Sequence, residues 1–205
     1  PTAIRGASWG PNDEIVFGTR SGPLVTVSGG GGEPLPLTAL GDGETAHSWP
    51  NFIPEQNALV FVISTGVVRT TGQLAVLDLS TQEITRLGLA GVSPNYVQTG
   101  HLVYAAGDGS VRAVPFDPAS RSLNGNPVPL LETVIVKANG TANFDVATNG
   151  ELVYSVGNGS GGSLTSLVWV DRLGQEAPVF GLDPGNYESF RLSPDNTRFA
   201  FDFGR

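Results

Sequence analysis

A unit of strand, turn and apolar strand recurs five times along this chain, and this repeat limits the fold more than any other feature. The fullest copy, HSWPNFIPEQNALVF at residues 47–61, turns at Pro54 and the polar residues after it. The matching apolar endings lie at residues 15–17, 59–61, 102–104, 152–154 and 199–201, and their final aromatics are 43 to 50 residues apart. This spacing is typical of repeat architectures.

Each repeat holds about four short strands, which is the make-up of a β-propeller blade. Residues 58–63 have no polar face, so this strand must be covered on both sides. The sequence therefore predicts an all-β protein, a β-propeller of four-stranded antiparallel blades with about four blades and a partial fifth. We expect one domain over residues 1–205, with blades at about 7–38, 46–88, 95–132, 142–180 and 187–205.

Composition excludes several classes of protein. A net charge of −8 with only 11 Lys and Arg residues argues against a nucleic-acid partner, because phosphate binding needs a basic surface. No apolar run is long enough for a membrane span. The absence of Cys excludes disulfides, thiolate metal sites and cysteine catalysis. Because the chain has no Met and begins at Pro1, we expect it to be part of a larger propeller.

Three segments carry a family resemblance: HSWPNFIPEQNALVF, AVPFDPASRSLNGNPVPLLE at residues 113–132, and LVWVDRLG at 167–174, the last followed by RLSPDNTRFAF. Together they resemble TolB-like (WD-repeat-like) propellers, and most closely those at the C-termini of bacterial eukaryotic-like serine/threonine protein kinases. The resemblance implies a sensory or interaction module in an extracytoplasmic or periplasmic location. It implies no catalytic residues.

The usual Ser-Pro-Asp-Gly turn of these propellers lacks its final Gly here. It is written GPND at residues 10–13, IPEQN at 53–57 and SPDN at 193–196. Asn and Asp also tolerate positive φ, so we expect these turns to form.

His47 and His101 are the only histidines, and neither spacing brings a carboxylate to them as a catalytic triad requires. We expect structural or surface roles for both.

Ser160 lies in NGSGG, which differs from the nucleophile elbow in its first residue and joins two strands. The glycine tracts 29–32 and 157–162 precede no helix, so they predict turns and not phosphate sites.

The aspartates are expected at turns, where the side chain bonds its own backbone. No calcium-loop motif is present, so a calcium ion in the propeller channel is the minor alternative. Asn139 and Asn158 begin glycosylation patterns that matter only in a secreted eukaryotic protein. Trp9, Trp49 and Trp169 are expected to pack between blades. The six aspartates expected at turns are Asp108, Asp117, Asp145, Asp171, Asp183 and Asp195.

The leading hypothesis is a non-catalytic binding or sensing propeller without catalytic, cofactor or metal residues. It would contact a protein, peptide or small ligand through loops at one rim. The alternative is the accessory propeller that gates a prolyl-oligopeptidase-like hydrolase, since fold alone does not decide function. Uncovered strand edges and apolar faces at the terminal blades also predict self-association.

Overall fold

The computed structural model describes residues 3–66, 71–147, 150–156, 165–171, 173–185, 187–192 and 198–203. Within these ranges the chain is all β, apart from one turn of 3-10 helix at Pro11–Asp13. The first sheet contains β1 (Ile4–Trp9), β2 (Glu14–Thr19), β3 (Val25–Ser28) and β4 (Leu35–Pro36). The second contains β5 (Ala46–Ile53), β6 (Ala58–Ser64), β7 (Gly72–Asp78), β8 (Ile84–Val97), β9 (His101–Ala105), β10 (Val111–Asp117), β11 (Ser122–Leu123) and β12 (Val128–Leu131). The third contains β13 (Phe144–Val146), β14 (Leu152–Val156), β15 (Ser166–Val170) and β16 (Glu176–Pro178), and β17 (Tyr187–Leu192) pairs with β18 (Phe199–Phe203).

These strands form blades in chain order, and every strand pair is antiparallel. Blade 1 is β1 to β4. Blade 2 is β5, β6, β7 and the first part of β8, and blade 3 is the rest of β8 with β9, β10 and β12. Blade 4 is β13 to β16, and β17 and β18 are two strands of a fifth. The predicted all-β, four-stranded antiparallel architecture is confirmed.

Strand β8 corrects one expectation. The sequence predicts a break between blades 2 and 3, but β8 runs through 14 residues from the outer edge of blade 2 into the inner edge of blade 3. Gly91 lies at the crossover, where a Cβ would come within 2.5 Å of the Tyr104 ring. The two blades therefore share one continuous strand where a loop was expected.

The loop at residues 117–127 contains a short strand. Its short strand β11 pairs with the end of β10, and Leu123 packs against the apolar cluster between blades 2 and 3. Arg121 forms an ion pair of 2.7 Å with Asp78 of blade 2. The loop therefore fastens two blades together while its residues stay exposed or half-buried.

The core lies between the blades. Every residue of β6 is buried, which confirms that this strand is covered on both sides. Phe52 and Phe61 dominate the cluster against blade 1, and Tyr104 and Phe116 belong to the cluster between blades 2 and 3. Each such side chain contributes about 1.5–3 kcal/mol by leaving water.

The Gly-less turns form, by two different routes. In the first, Asn12 and Asp13 adopt φ of 62° and 59°, as expected for these residue types. In the second, Glu55 and not Asn57 takes the positive φ, at 61°, so the expectation about which residue type bears the strain is wrong there. The third turn, at residues 193–196, lies outside the described residues. The glycines at 29–32 connect β3 to β4 as predicted.

None of the described residues belongs to a helix that is long and apolar enough to span a bilayer.

Candidate functional site

A ring of polar side chains lines the inner strands of the blades. The ring positions share one register, since each pairs with the middle of its blade's second strand. They are Ser8, Asn51, Asn95, Asp145 and Arg191, opposite Val16, Val60, Val103, Val153 and Ala200 respectively.

These side chains bind blade 1 to blade 2, blade 2 to blade 3, and blade 4 to the fifth. Ser8 Oγ accepts a hydrogen bond of 3.1 Å from the Phe52 backbone N–H, and Asn51 Oδ1 accepts one of 3.1 Å from the Tyr96 N–H. Asp145 Oδ2 accepts one of 2.8 Å from Leu192. In each case the donor follows the next blade's ring residue. The ring therefore satisfies backbone donors that a strand edge would leave unpaired.

A bulge precedes the ring in the first three blades. Gly6, Trp49 and Ser93 each lie two residues before the ring position, with φ of 76°, 54° and 51°, and the strand register shifts at the same places. Bulges of this kind bend a strand and redirect its side chains.

Asp145 departs from expectation, because it lies in strand β13 and not in a turn. Burial raises the pKa of its carboxyl above the ordinary value, while the charge of Arg191 and the N–H groups of Leu192 and Val146 act in the opposite direction. A buried carboxyl without full compensation is costly.

The other aspartates behave mostly as predicted. Asp108, Asp117 and Asp171 each accept the backbone N–H two residues on, which confirms their turn roles. Asp183 lies between strands β16 and β17, and Asp195 is outside the described residues. No group of three or more His, Cys, Asp or Glu side chains that could hold a metal ion occurs in the part of the chain that the structure describes.

His47 is the centre of a buried polar network that the sequence did not reveal. Its Nε2 lies 2.8 Å from Glu44 Oε2 and its Nδ1 lies 2.7 Å from Thr38 Oγ1. The expectation that no carboxylate approaches His47 is therefore wrong. The signal lay in the segment at residues 37–45, which joins blade 1 to blade 2 and carries both partners. Arg86 closes the network with an ion pair to Glu44.

Hydroxyl, imidazole and carboxylate in one line are the parts of a catalytic triad. Here, however, Thr38 Oγ1 already accepts the Leu24 N–H at 2.9 Å, and the side chains of His47 and Glu44 are 0% and 4% exposed. Burial lowers the pKa of His47, so the ring is neutral and can donate to Glu44 while it accepts from Thr38. The network fits a clamp on the connection between the blades, consistent with the structural role expected for His47.

A cavity of about 370 Å³ opens between blades 3 and 4. No sequence motif pointed to it. Its buried walls are Val97, Val103, Ala113, Leu152 and Val170, which come from the facing strands of the two blades. Exposed apolar side chains of β12 continue the wall to the surface, where Val128 and Leu130 are 53% and 49% exposed. The cavity is therefore apolar inside and partly open to solvent.

Comparison with the neighbouring blade interface explains the cavity. Between blades 2 and 3 the equivalent space is filled by Tyr96 and Phe116, whose rings meet edge to face at 6.1 Å. By register, Val146 takes the place of Tyr96 in blade 4, and the position of Phe116 falls on residue 172, outside the described residues.

The face of blade 3 that packs against blade 4 also has smaller side chains than the corresponding face of blade 2. By register, Val97 stands where blade 2 has Ile53, and Ala113 stands where blade 2 has Val76. Small residues at three aligned positions therefore leave a void that tight packing fills elsewhere.

Hydrogen-bond acceptors mark the mouth of the cavity. Asp171 lines it, and its Oδ1 is engaged by the Leu173 and Gln175 N–H groups at 2.8 and 2.9 Å. Its Oδ2 makes no hydrogen bond to any residue of the described ranges. His101 also lines the mouth, and its Nδ1–H donates to the Thr99 carbonyl at 3.0 Å, which leaves Nε2 as an acceptor in the neutral ring.

The remaining candidates carry no site. Trp49 and Trp169 pack against blade clusters as predicted, but the expectation is wrong for Trp9, which is 64% exposed. Asn139 caps its own turn by accepting the Thr141 N–H at 2.9 Å. Ser160, Asn158 and the glycine tract at 157–162 lie outside the described residues.

No protein-family model matches the chain, and no curated protein sequence matches it. Solved structures do. Regucalcin from Agrobacterium tumefaciens, described as a calcium-binding protein, superposes with a TM-score of 0.66 at 15% identity, over 98% of this chain and 68% of that one. A luciferin-regenerating enzyme superposes with a TM-score of 0.63 at 11% identity, over 95% of this chain and 68% of that one. An auxiliary nutrient binding protein from Bacteroides thetaiotaomicron superposes with a TM-score of 0.61 at 12% identity, over 97% of this chain and 56% of that one.

Similarity at this level of identity shows the fold alone. The chain is a β-propeller, and it spans between 56% and 68% of the length of these three structures.

Proposed function

We propose that this chain is a non-catalytic binding propeller, and that its ligand occupies the cavity between blades 3 and 4. The observation that carries the proposal is the cavity itself: about 370 Å³, apolar in its walls, with a few polar groups at the mouth. These are the size and lining of small-molecule sites. The fold does not choose between classes, because propellers of similar structure include both an enzyme and binding proteins.

The finer proposal is a sensory domain of a receptor-like protein kinase. It rests on the three sequence segments that resemble kinase-borne propellers, and no structural observation bears on it. In such a protein, the ligand would report an external condition by binding between two blades. The parent gene tests this directly, since an upstream kinase domain supports it and a downstream hydrolase domain would favour the gating alternative.

A thermal-shift screen with a small-molecule library tests the proposed site. The wild-type chain is compared with Val146→Phe, which copies the aromatic that fills the equivalent space in blades 2 and 3. We expect compounds that raise the wild-type melting temperature to lose this effect in the variant, because stabilisation follows ligand binding to the folded state. Compounds that stabilise both chains equally, or no active compounds at all, would contradict the proposed site.

Turnover by the purified chain, abolished by a point mutation within it, would overturn the non-catalytic part of the proposal.

A further inference from the structure

We propose that the cavity between blades 3 and 4 takes a small amphipathic amine, with its apolar body among the valines and its cationic head at Asp171 and His101. This inference rests on the proposed function and adds the chemical class of the ligand.

The size of the cavity sets the size of the apolar body. A dry cavity of about 150 Å³ lined by aliphatic side chains holds one benzene ring. The cavity here has more than twice that volume, about 370 Å³. It therefore accommodates a ring with a short alkyl chain. Among the described residues its inner wall offers no charged side chain, because Val97, Val103, Val146, Leu152 and Val170 supply the surface.

The polar side chains at the mouth of the cavity determine which charge the head group of the ligand carries. Three polar side chains line the cavity: Thr99, His101 and Asp171. The charged one is Asp171, whose Oδ2 atom makes no hydrogen bond to the described residues. The Nδ1–H of His101 donates to the Thr99 carbonyl, so its Nε2 atom can accept. A ligand that enters with a carboxylate or phosphate would place like charges together at Asp171, whereas an ammonium group would donate to it. Charge-assisted hydrogen bonds of this type are stronger than neutral ones.

The surroundings favour the same sign of charge. An adjacent surface depression shares Val170 and Asp171 with the cavity and adds the carboxylate of Glu176, which accepts a hydrogen bond from the Tyr154 hydroxyl. The whole chain carries a net charge of −8. A net negative charge raises the local concentration of cations and speeds their association.

Isothermal titration calorimetry with three probes of one shape tests the inference: phenylbutylamine, phenylbutanol and phenylbutyrate. We expect the amine to bind the wild-type chain about tenfold more tightly than the alcohol, and the acid to bind most weakly. Asp171→Asn keeps an acceptor for the Leu173 and Gln175 N–H groups but removes the charge. It should therefore lower the affinity for the amine about fivefold. Asp183→Asn, an exposed change of the same kind outside the cavity, should leave all three affinities unchanged.

Cavity-filling variants distinguish a wrong ligand class from a wrong binding site. Val146→Phe should abolish binding of all three probes, and Val97→Ile, which copies blade 2 and adds one methylene, should weaken them in a chain that folds normally. Equal affinity for the amine and the alcohol, unaltered by Asp171→Asn, would overturn the proposal that the ligand is an amine, while the cavity would remain the binding site. If the three probes fail to bind, or bind Val146→Phe and Val97→Ile as they bind wild type, the cavity itself is wrong.

Discussion

Single residues at the blade interfaces carry opposing effects of burial and charge. Burial lowers the pKa of His47 against the pull of Glu44. Burial acts to raise the pKa of Glu44, but the Gly41 N–H, His47 and Arg86 outweigh it and hold that pKa below its ordinary value. Both groups therefore release protons more readily in the folded chain than in the unfolded one.

This predicts a loss of stability on acidification. A lowered folded pKa contributes stability that is complete above the unfolded value, 6.5 for His47 and 4.5 for Glu44, and is lost as pH falls through the folded value. Denaturant unfolding measured between about pH 7.5 and pH 5 should show the free energy of unfolding falling with pH. His47→Gln should flatten this slope, whereas His101→Gln, at the other histidine, should keep it. A slope that survives His47→Gln unchanged would contradict the role of the network.

Asp145 predicts the opposite sign. Its raised pKa means that its contribution is favourable below the unfolded value of 3.8 and is lost as pH rises through the folded value. Asp145→Asn copies the ring residues of blades 2 and 3 and keeps an acceptor for the Leu192 N–H. We expect about 1 kcal/mol of added stability at neutral pH, shrinking towards acid pH. Destabilisation at neutral pH would mean that attraction to Arg191 exceeds the cost of burial.

Among the elements, the inner strands depend on the ring of hydrogen bonds between blades. Asn51→Ala leaves the Tyr96 N–H without its side-chain acceptor, which should cost about 1–2 kcal/mol and speed hydrogen exchange at the Tyr96 amide. Asn57→Ala removes an exposed turn contact to Ser80 and serves as the control, with a change of about 0.5 kcal/mol or less. Unaltered exchange at Tyr96 in Asn51→Ala would show that the ring does not join the blades.

The strands were predictable because each has a local signal: an apolar run, a turn and an aromatic that recur at nearly constant spacing. The sites were not predictable, because they depend on which residues face each other across blades. Thr38, Glu44 and His47 meet only when the connection between blades 1 and 2 folds back. Val146 signals a cavity only after the register aligns it with Tyr96.

For the molecule as a whole, self-association remains a prediction. Trp9 occupies the register position of Phe52 and Tyr96, but it is 64% exposed, and Ile4 and Leu35 of the same blade are each 60% exposed. Exposed apolar surface of this kind favours contact with another chain or blade. Sedimentation velocity should show association that increases with concentration and weakens in Trp9→Gln. A monodisperse monomer throughout would contradict it.

We propose that the gap between blades 3 and 4 is a ligand site and not a packing defect. A crystal structure of the chain grown with phenylbutylamine distinguishes the two. We expect electron density for the ring among Val97, Val103 and Val146, with the amine within hydrogen-bond distance of Asp171. An empty cavity, or one closed by repacked side chains, would contradict it.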